Sequence, residues 1–301
     1  MKVLIAEDDM TSRIILGSVL KKWGFIPVIT CDGKEAWDVM QLEDAPSLAI
    51  LDWQMPKMNG IEVCQRIRGI DTSDPPYLIV LTSKDEKKDI VKALDAGAND
   101  FISKPYDNEE LRARINVGKR MVRLQSELGK AYEALKHEAM HDPLTNIFNR
   151  RAIMRMLEKE IARGKREKTG LYIGLCDLDH FKKVNDTYGH QIGDEVLIAF
   201  TRFVQDKLRL HDHVGRIGGE EFLIVASGSK GLNQEVMFER FCEHVRNSEI
   251  PTEKGNISIT VSIGAAQYTG IENSDTLLAA ADKALYHAKK IGRDRAVCAG
   301  Q

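Results

Sequence analysis

Short apolar runs alternate with amphipathic stretches through roughly the first hundred residues. "KVLIA", "FIPVIT", "SLAILD", "YLIVLTS" and "DFIS" read as strands, and intervening segments such as 11–23 and 86–96 read as helices. Regular alternation of this kind predicts a parallel sheet covered on both faces, an α/β doubly wound (βα)5 arrangement. In such sheets ligands sit beyond the carboxyl ends of the strands.

The pattern changes after residue 107. Apolar positions at Met121, Leu124, Leu128, Ala131 and Leu135 recur at spacings of three and four, a heptad seam in a charged stretch without proline. This predicts a helical linker over 107–140 that continues the last helix of the first domain (1–120) and can pair with a second copy. A single amphipathic helix lying on its own domain is the alternative, and Gly118 and Gly129 weaken the helix. From 139 to 301 strands and helices alternate less regularly, with a hairpin expected at 212–226. That suits an α+β domain with an antiparallel element.

Bulk properties narrow the setting. The 301 residues carry 43% hydrophobic and 29% charged side chains, enough for a core in each of two domains. A formal net charge of −2 gives no hint of a nucleic-acid or membrane surface, and no helix-turn-helix or basic recognition helix is apparent. The five cysteines (Cys31, Cys64, Cys176, Cys242, Cys298) form no CxxC pair, which points to a reducing compartment. The amino terminus meets acids too early for a signal peptide, and no apolar run approaches the ~20 residues of a membrane span. A cytoplasmic chain is expected.

Glu7 and Asp8 end the first strand and Asp52 ends the third. Three carboxylates at one sheet end repel unless a cation sits among them, and hard oxygen donors suit Mg²⁺. Thr82 and Lys104, at the ends of the fourth and fifth strands, supply a hydroxyl and an ammonium for the oxygens of a phosphorylated Asp52. With "EDD" at 7–9, "MP" at 55–56, Asn59–Gly60, Thr82 and Lys104–Pro105, residues 1 to about 120 resemble the response-regulator receiver domain. The resemblance implies that a histidine kinase phosphorylates Asp52. It also implies that Glu7, Asp8 and the Gln54 carbonyl hold one Mg²⁺, that Thr82 and Lys104 grip the phosphoryl group, that Phe101 is the switch aromatic, and that the Lys104–Pro105 bond is cis.

A second acidic cluster lies in "LYIGLCDLDHFKKVNDTYGHQIGDEVL" and "RIGGEEFLIV". Alternation sends Asp177 and Asp179 to one side of a strand. If the hairpin carrying Glu220 and Glu221 is adjacent, Asp177 and Glu220 can face each other and share the paired divalent cations of a phosphoryl displacement. Gly218 and Gly219 then form a tight turn that a nucleotide can approach closely.

Together with "DPLTNIFNRR", "VSIGAA" and "ADKALYHAKKIGRDR", these motifs resemble the GGDEF domain of diguanylate cyclases, here in the GGEEF form, a fold akin to nucleotidyl cyclases and the polymerase palm. The resemblance implies two Mg²⁺ held by Asp177, Glu220 and the Leu178 carbonyl, with Glu221 a further ligand or base. Asn185 and Asp194 would read guanine. Lys182, Lys289 and Arg293, with backbone amides near His180 and Phe181, would hold the triphosphate. "RLHD", Arg209 to Asp212, stands where the family has its RxxD product-inhibition motif, with Arg240 a second product-binding arginine.

The implied activity is condensation of two GTP to cyclic di-GMP across a homodimer, under phosphorylation control and product inhibition. A GTP- or cyclic di-GMP-sensing module without catalysis, and a synthase with relaxed base choice, remain as alternatives. His211, His213, His244, Trp23 and Trp37 read as surface or packing residues.

Overall fold

A computed structural model describes residues 1–72, 74–83, 87–228 and 234–300. The chain divides into two compact units, Met1–Ala134 and Leu135–Gln301.

The first unit runs β1 (Lys2–Ala6), α1 (Met10–Lys22), β2 (Ile26–Thr30), α2 (Gly33–Met40), β3 (Leu48–Asp52), α3 (Gly60–Arg68), β4 (Tyr77–Thr82), α4 (Lys87–Asp95), β5 (Asp100–Ser103) and α5 (Asn108–Met140). Glu86, expected to open α4, lies outside the described residues. The strands pair in parallel in the order β2-β1-β3-β4-β5, the doubly wound topology anticipated from the alternation. The central strands β3 and β4 are buried along their whole length, whereas β2 is a partly exposed edge. Successive residues feed opposite apolar layers: Leu4, Leu51, Leu78 and Val80 on one face, Val3, Ile5, Ile50 and Ile79 on the other. Asp9, Asp32 and Asn59 cap α1, α2 and α3 through side-chain acceptors, so each strand-end loop is closed by its own sequence.

α5 has two characters. Leu111 and Ile115 are fully buried. Gly118 is buried too, and a Cβ there would lie 2.6 Å from Tyr77 Cδ1 and 2.8 Å from Leu48 Cδ1. Gly118 is thus a condition of the helix lying against the sheet, not merely a weak point. Beyond it the seam is bare: Met121, Leu124, Leu128 and Leu135 are 54%, 59%, 71% and 65% exposed. These positions do not rest on their own domain.

The second unit runs β6 (Phe148–Asn149), α6 (Arg150–Glu167), β7 (Gly170–Leu178), α7 (Phe181–Tyr188), α8 (His190–Gln205), β8 (His213–Gly218), β9 (Glu221–Gly228), α9 (Gln234–Arg246), β10 (Ile250–Thr252), β11 (Gly255–Ile257), β12 (Val261–Tyr268), α10 (Ser274–Lys290) and β13 (Ala296–Cys298). Its six-stranded sheet has the order β13-β12-β7-β9-β8-β6. The four central strands are antiparallel, and the short edges β13 and β6 pair in parallel, so the sheet is mixed. The hairpin expected at 212–226 is β8–β9. One face packs Phe200, Phe222, Ile224 and Phe238 under α8 and α9; the other packs Ile153, Ile173, Leu223, Val225 and Leu285 under α6 and α10. All five cysteines are free. Among the described residues no helix is long and apolar enough to cross a membrane.

The seat of α10 on β12 is tight, because a Cβ on Gly264 would lie 2.1 Å from the Ala281 carbonyl oxygen and 2.3 Å from the Leu285 amide nitrogen. Backbone cannot give way as a side chain can. Gly264→Ala is expected to destabilise the second unit by ~1–3 kcal/mol, read as a lower melting temperature; an unchanged transition would mean that α10 is free to shift.

Candidate functional site

At the carboxyl end of the first sheet, β1 delivers Glu7 and β3 delivers Asp52, both buried, and Asp8 follows on the surface. Ligand oxygens of the three lie within 4.8 Å of one another. Lys104 Nζ stands 2.7 Å from Glu7 Oε2 and 2.9 Å from Asp52 Oδ2, so one ammonium bridges two carboxylates. Burial lifts the Glu7 carboxyl above its ordinary value; the hydrogen bond from Lys104 opposes that rise and the Asp52 charge reinforces it. Burial would depress the Lys104 ammonium, but its bonds to Glu7 and Asp52 outweigh this and hold it above the usual lysine value. A negative group of this density, offset by one lysine, is a donor set that fits Mg²⁺. Thr82 is buried at the end of β4, its carbonyl accepting from the Lys104 amide at 2.6 Å. Phe101 is half-buried on β5, Gln54 is exposed on the loop after β3, and the Lys104–Pro105 bond is cis.

In the second unit the pairing of β7 with β9 sets the geometry. Its register places Asp177 directly opposite Glu221, whereas Glu220 lies in the two-residue turn between Gly218 and Glu221. The expected facing of Asp177 by Glu220 is therefore not a cross-strand pair. The register shift between Arg216 and Gly218 tightens the turn, and Glu220 meets the end of β7 through its carbonyl, 3.3 Å from the Leu178 amide. Gly219 supplies the left-handed backbone at φ 49°, and nothing lies within 4 Å of a Cβ built on Gly218 or Gly219. That open side is where a ligand could approach the backbone. Asp177 is nearly buried and its Oδ2 is 2.6 Å from Lys289 Nζ on α10. Ligand oxygens of Asp177, Glu220 and Glu221 do not all lie within 4.8 Å of one another among the described residues, and Asp177 is paired with the Lys289 ammonium. The donor set still fits a divalent cation, with Asp177, Glu220, Glu221 and the Leu178 carbonyl as the oxygens available.

β7 ends at Leu178, and His180 turns the chain in a left-handed conformation into α7. No side chain caps α7, so its first amides, at Phe181 and Lys182, remain available to an anion. Phe181 is buried and Lys182 exposed. Asn185 on α7 packs against α8 at Gly193, the residue before Asp194, because Gly193 has no side chain: a Cβ there would sit 1.9 Å from Asn185 Oδ1. Arg293 follows α10 and is half-exposed.

Asp179 differs from its expected neighbourly role. Both aspartates reach the end of α10, but Asp179 is enclosed. It accepts from Thr260 Oγ1 at 2.8 Å, Ser262 Oγ at 2.7 Å and the Asp294 amide at 3.0 Å. Arg216, passed over in the sequence, bonds the Gly219 carbonyl at 2.9 Å and Asp142 at 3.2 Å, tying the glycine turn to the chain before β6. Its place in "RIGGEEF", two residues before the glycines, was the available signal.

Arg209 and Asp212 flank the entry to β8. Asp212 accepts from the Arg209 amide at 3.0 Å and the Ser227 amide at 3.1 Å, so the carboxylate braces the loop. With Arg240, Phe241 and His244 they line a cavity of about 720 Å³. His213 and Phe148 make an edge contact, as do His244 and Phe203, and His211 is exposed. Trp23 and Trp37 pack beside the first-unit cores.

Because Lys289 is paired with Asp177, a cation bound there would have to displace the lysine. Lys289→Met should raise the affinity for Mn²⁺ up to about five-fold, the equivalent of ~1 kcal/mol for a partly exposed ion pair. Manganese titration followed by magnetic resonance checks this effect; an unchanged affinity would remove the competition.

Comparison with known proteins fits this geometry. The family model for the diguanylate cyclase GGDEF domain matches residues 139–295, and that for the response regulator receiver domain matches residues 3–116. The response regulator PleD of Caulobacter vibrioides is 30% identical over 274 residues, covering 90% of this chain and 60% of that protein. Diguanylate cyclase DosC of Escherichia coli is 35% identical over 195 residues, 63% of this chain and 42% of that one. The chain thus spans between two fifths and three fifths of these relatives' lengths. The solved coiled coil and GGDEF domain of DgcB from Caulobacter crescentus, in complex with c-di-GMP, is similar with a TM-score of 0.57 and 29% identity, over 63% of this chain and 99% of that one. The diguanylate cyclase SiaD of Pseudomonas aeruginosa, solved with its activator SiaC, is similar at a TM-score of 0.53 and 34% identity, over 64% of this chain and 74% of that one. The chain belongs to the GGDEF family of diguanylate cyclase domains, preceded here by a response regulator receiver domain.

Proposed function

We propose that the chain is a phosphorylation-activated diguanylate cyclase that condenses two GTP into cyclic di-GMP and two pyrophosphates. The observation that carries this reading is the meeting of Asp177, Glu221 and the Gly219–Glu220 turn with Lys289, acids and an ammonium at one strand end. Bound Mg²⁺, two per cyclase site held by Asp177, Glu220, Glu221 and the Leu178 carbonyl, would neutralise phosphate charge and acidify the attacking hydroxyl, and one in the receiver would neutralise the phosphoryl group passed to Asp52.

The chain's own residues then bind and orient. Asn185 and Asp194 read the guanine edge, where adenine would leave Asp194 with the wrong partner. Lys182, Arg293, a released Lys289 and the backbone amides near His180 and Phe181, where α7 begins, hold the triphosphate. The ribose 3′-oxygen of one GTP attacks the α-phosphorus of the other. That forms a phosphodiester bond, breaks the α–β phosphoanhydride bond and releases pyrophosphate, with Glu220 or Glu221 accepting the hydroxyl proton. A second passage of the same kind closes the ring. Each domain presents one GTP, so two must meet, and proximity is the point of control.

A cognate histidine kinase phosphorylates Asp52 in the cytoplasm, Thr82 and Lys104 hold the phosphoryl group, and Phe101 responds. The bare seam of α5 pairs in the homodimer. Product returns to Arg209, Asp212 and Arg240 and inhibits.

Incubation with GTP and Mg²⁺, with and without beryllofluoride, tests the reading by product mass and by mass in solution. A module that only binds releases no pyrophosphate, and a mixed dinucleotide from competing ATP indicates relaxed base choice. Glu220→Gln should lower turnover by at least about a hundred-fold with an unchanged melting temperature. Asp52→Asn should make activity indifferent to beryllofluoride. Arg209→Ala should shift the product-inhibition curve to higher cyclic di-GMP, and a superimposable curve would remove that site.

A further inference from the structure

The chain leaves α10 through three successive left-handed residues, Gly292 at φ 121°, Arg293 at φ 60° and Asp294 at φ 52°. Glycine adopts this backbone freely; arginine and aspartate do so only where the surroundings hold them. Two groups from distant segments do the holding. From the end of β7, the 1%-exposed Asp179 side chain accepts the Asp294 amide at 3.0 Å, and it lies 4.0 Å from Arg293 Nε. Thr260 and Ser262 donate to the same carboxylate, so its own position is not adjustable. From α9, Arg246 Nε bonds the Asp294 carboxylate and Nη2 bonds the Asp294 carbonyl at 2.8 Å. Glu239, two turns earlier on that helix, accepts the Ala296 amide at 3.0 Å. The Arg293 amide is also bound, to the Ala288 carbonyl at 2.9 Å. The backbone of Arg293 is thus tied on every side while its side chain is 43% exposed.

A turn that served only to end a helix would need a glycine and nothing more. Here a buried carboxylate and a two-pronged guanidinium converge on the residue after Arg293. We propose that Asp179 and Arg246 are positioning residues that clamp the Gly292–Asp294 turn so that Arg293 is presented to the triphosphate. The proposal rests on the reading of Arg293 as a triphosphate ligand. Neither clamp residue touches the nucleotide in this account. Their effect therefore falls on phosphate recognition and not on guanine recognition, which Asn185 and Asp194 carry.

The test is binding to the full chain of a non-hydrolysable GTP analogue and, separately, of GMP, with melting temperatures recorded alongside. The variants are Asp179→Asn, Arg246→Gln, Arg246→Lys and Arg293→Ala. Arg246 is 39% exposed, so its variants fold even where Asp179→Asn does not. Arg246→Gln should weaken the triphosphate about five- to ten-fold and leave GMP unchanged; Arg246→Lys should recover part of the loss. Arg246→Gln combined with Arg293→Ala should bind no more weakly than Arg293→Ala alone, since the clamp acts through that side chain. Unchanged triphosphate affinity, equal losses for both nucleotides, or additive losses in the double variant would each overturn the clamp. Equal affinity of the unaltered chain for the two nucleotides would overturn the underlying reading, and the clamp with it.

Discussion

Antiparallel pairing between β7 and β9, unbroken from Gly170 opposite Gly228 to Asp177 opposite Glu221, is the constraint on which the second unit depends. It carries the apolar residues of both faces into two helical layers, and its last rung sets one carboxylate against another. A slip of one residue would turn Asp177 into the core and expose an apolar neighbour. The core therefore enforces the site: Phe222 and Leu223, both fully buried, fix where Glu221 must stand.

The two units meet the same electrostatic problem in the same way. Each gathers acids at the end of a sheet, and each offsets them with a lysine reached from a later segment: Lys104 over Glu7 and Asp52, Lys289 on Asp177. A lysine is suited to this because its charge travels on a flexible stem and can leave when a better cation or a phosphate arrives. An arginine fork, by contrast, suits fixed geometry, and it is arginine that braces the structure at Asp142 and at Asp294.

Strand-end acids were readable because alternation locates strand ends, and charge at a buried strand end needs a reason. The glycines of "RIGGEEF" were readable for the same cause. The exact rung was not: the register of β7 on β9 decides that Glu221 and not Glu220 stands opposite Asp177, and no local pattern marks it. Asp179 looked like a twin of Asp177. Its partners Thr260 and Asp294 lie 81 and 115 residues away, so only the fold reveals it as a brace. Gly118 looked like a flaw in a helix until Tyr77 and Leu48 proved to be its neighbours.

That contact at Gly118 also sets a phase. With the helix anchored there, the direction in which Met121, Leu124 and Leu128 look is dictated by the number of residues that separate them from the anchor. Shortening α5 below Gly118 by seven residues would turn the stripe by only ~20°, whereas other lengths would swing it elsewhere. The spacer is thus a ruler with a preferred unit, and grafts between relatives would have to respect its count.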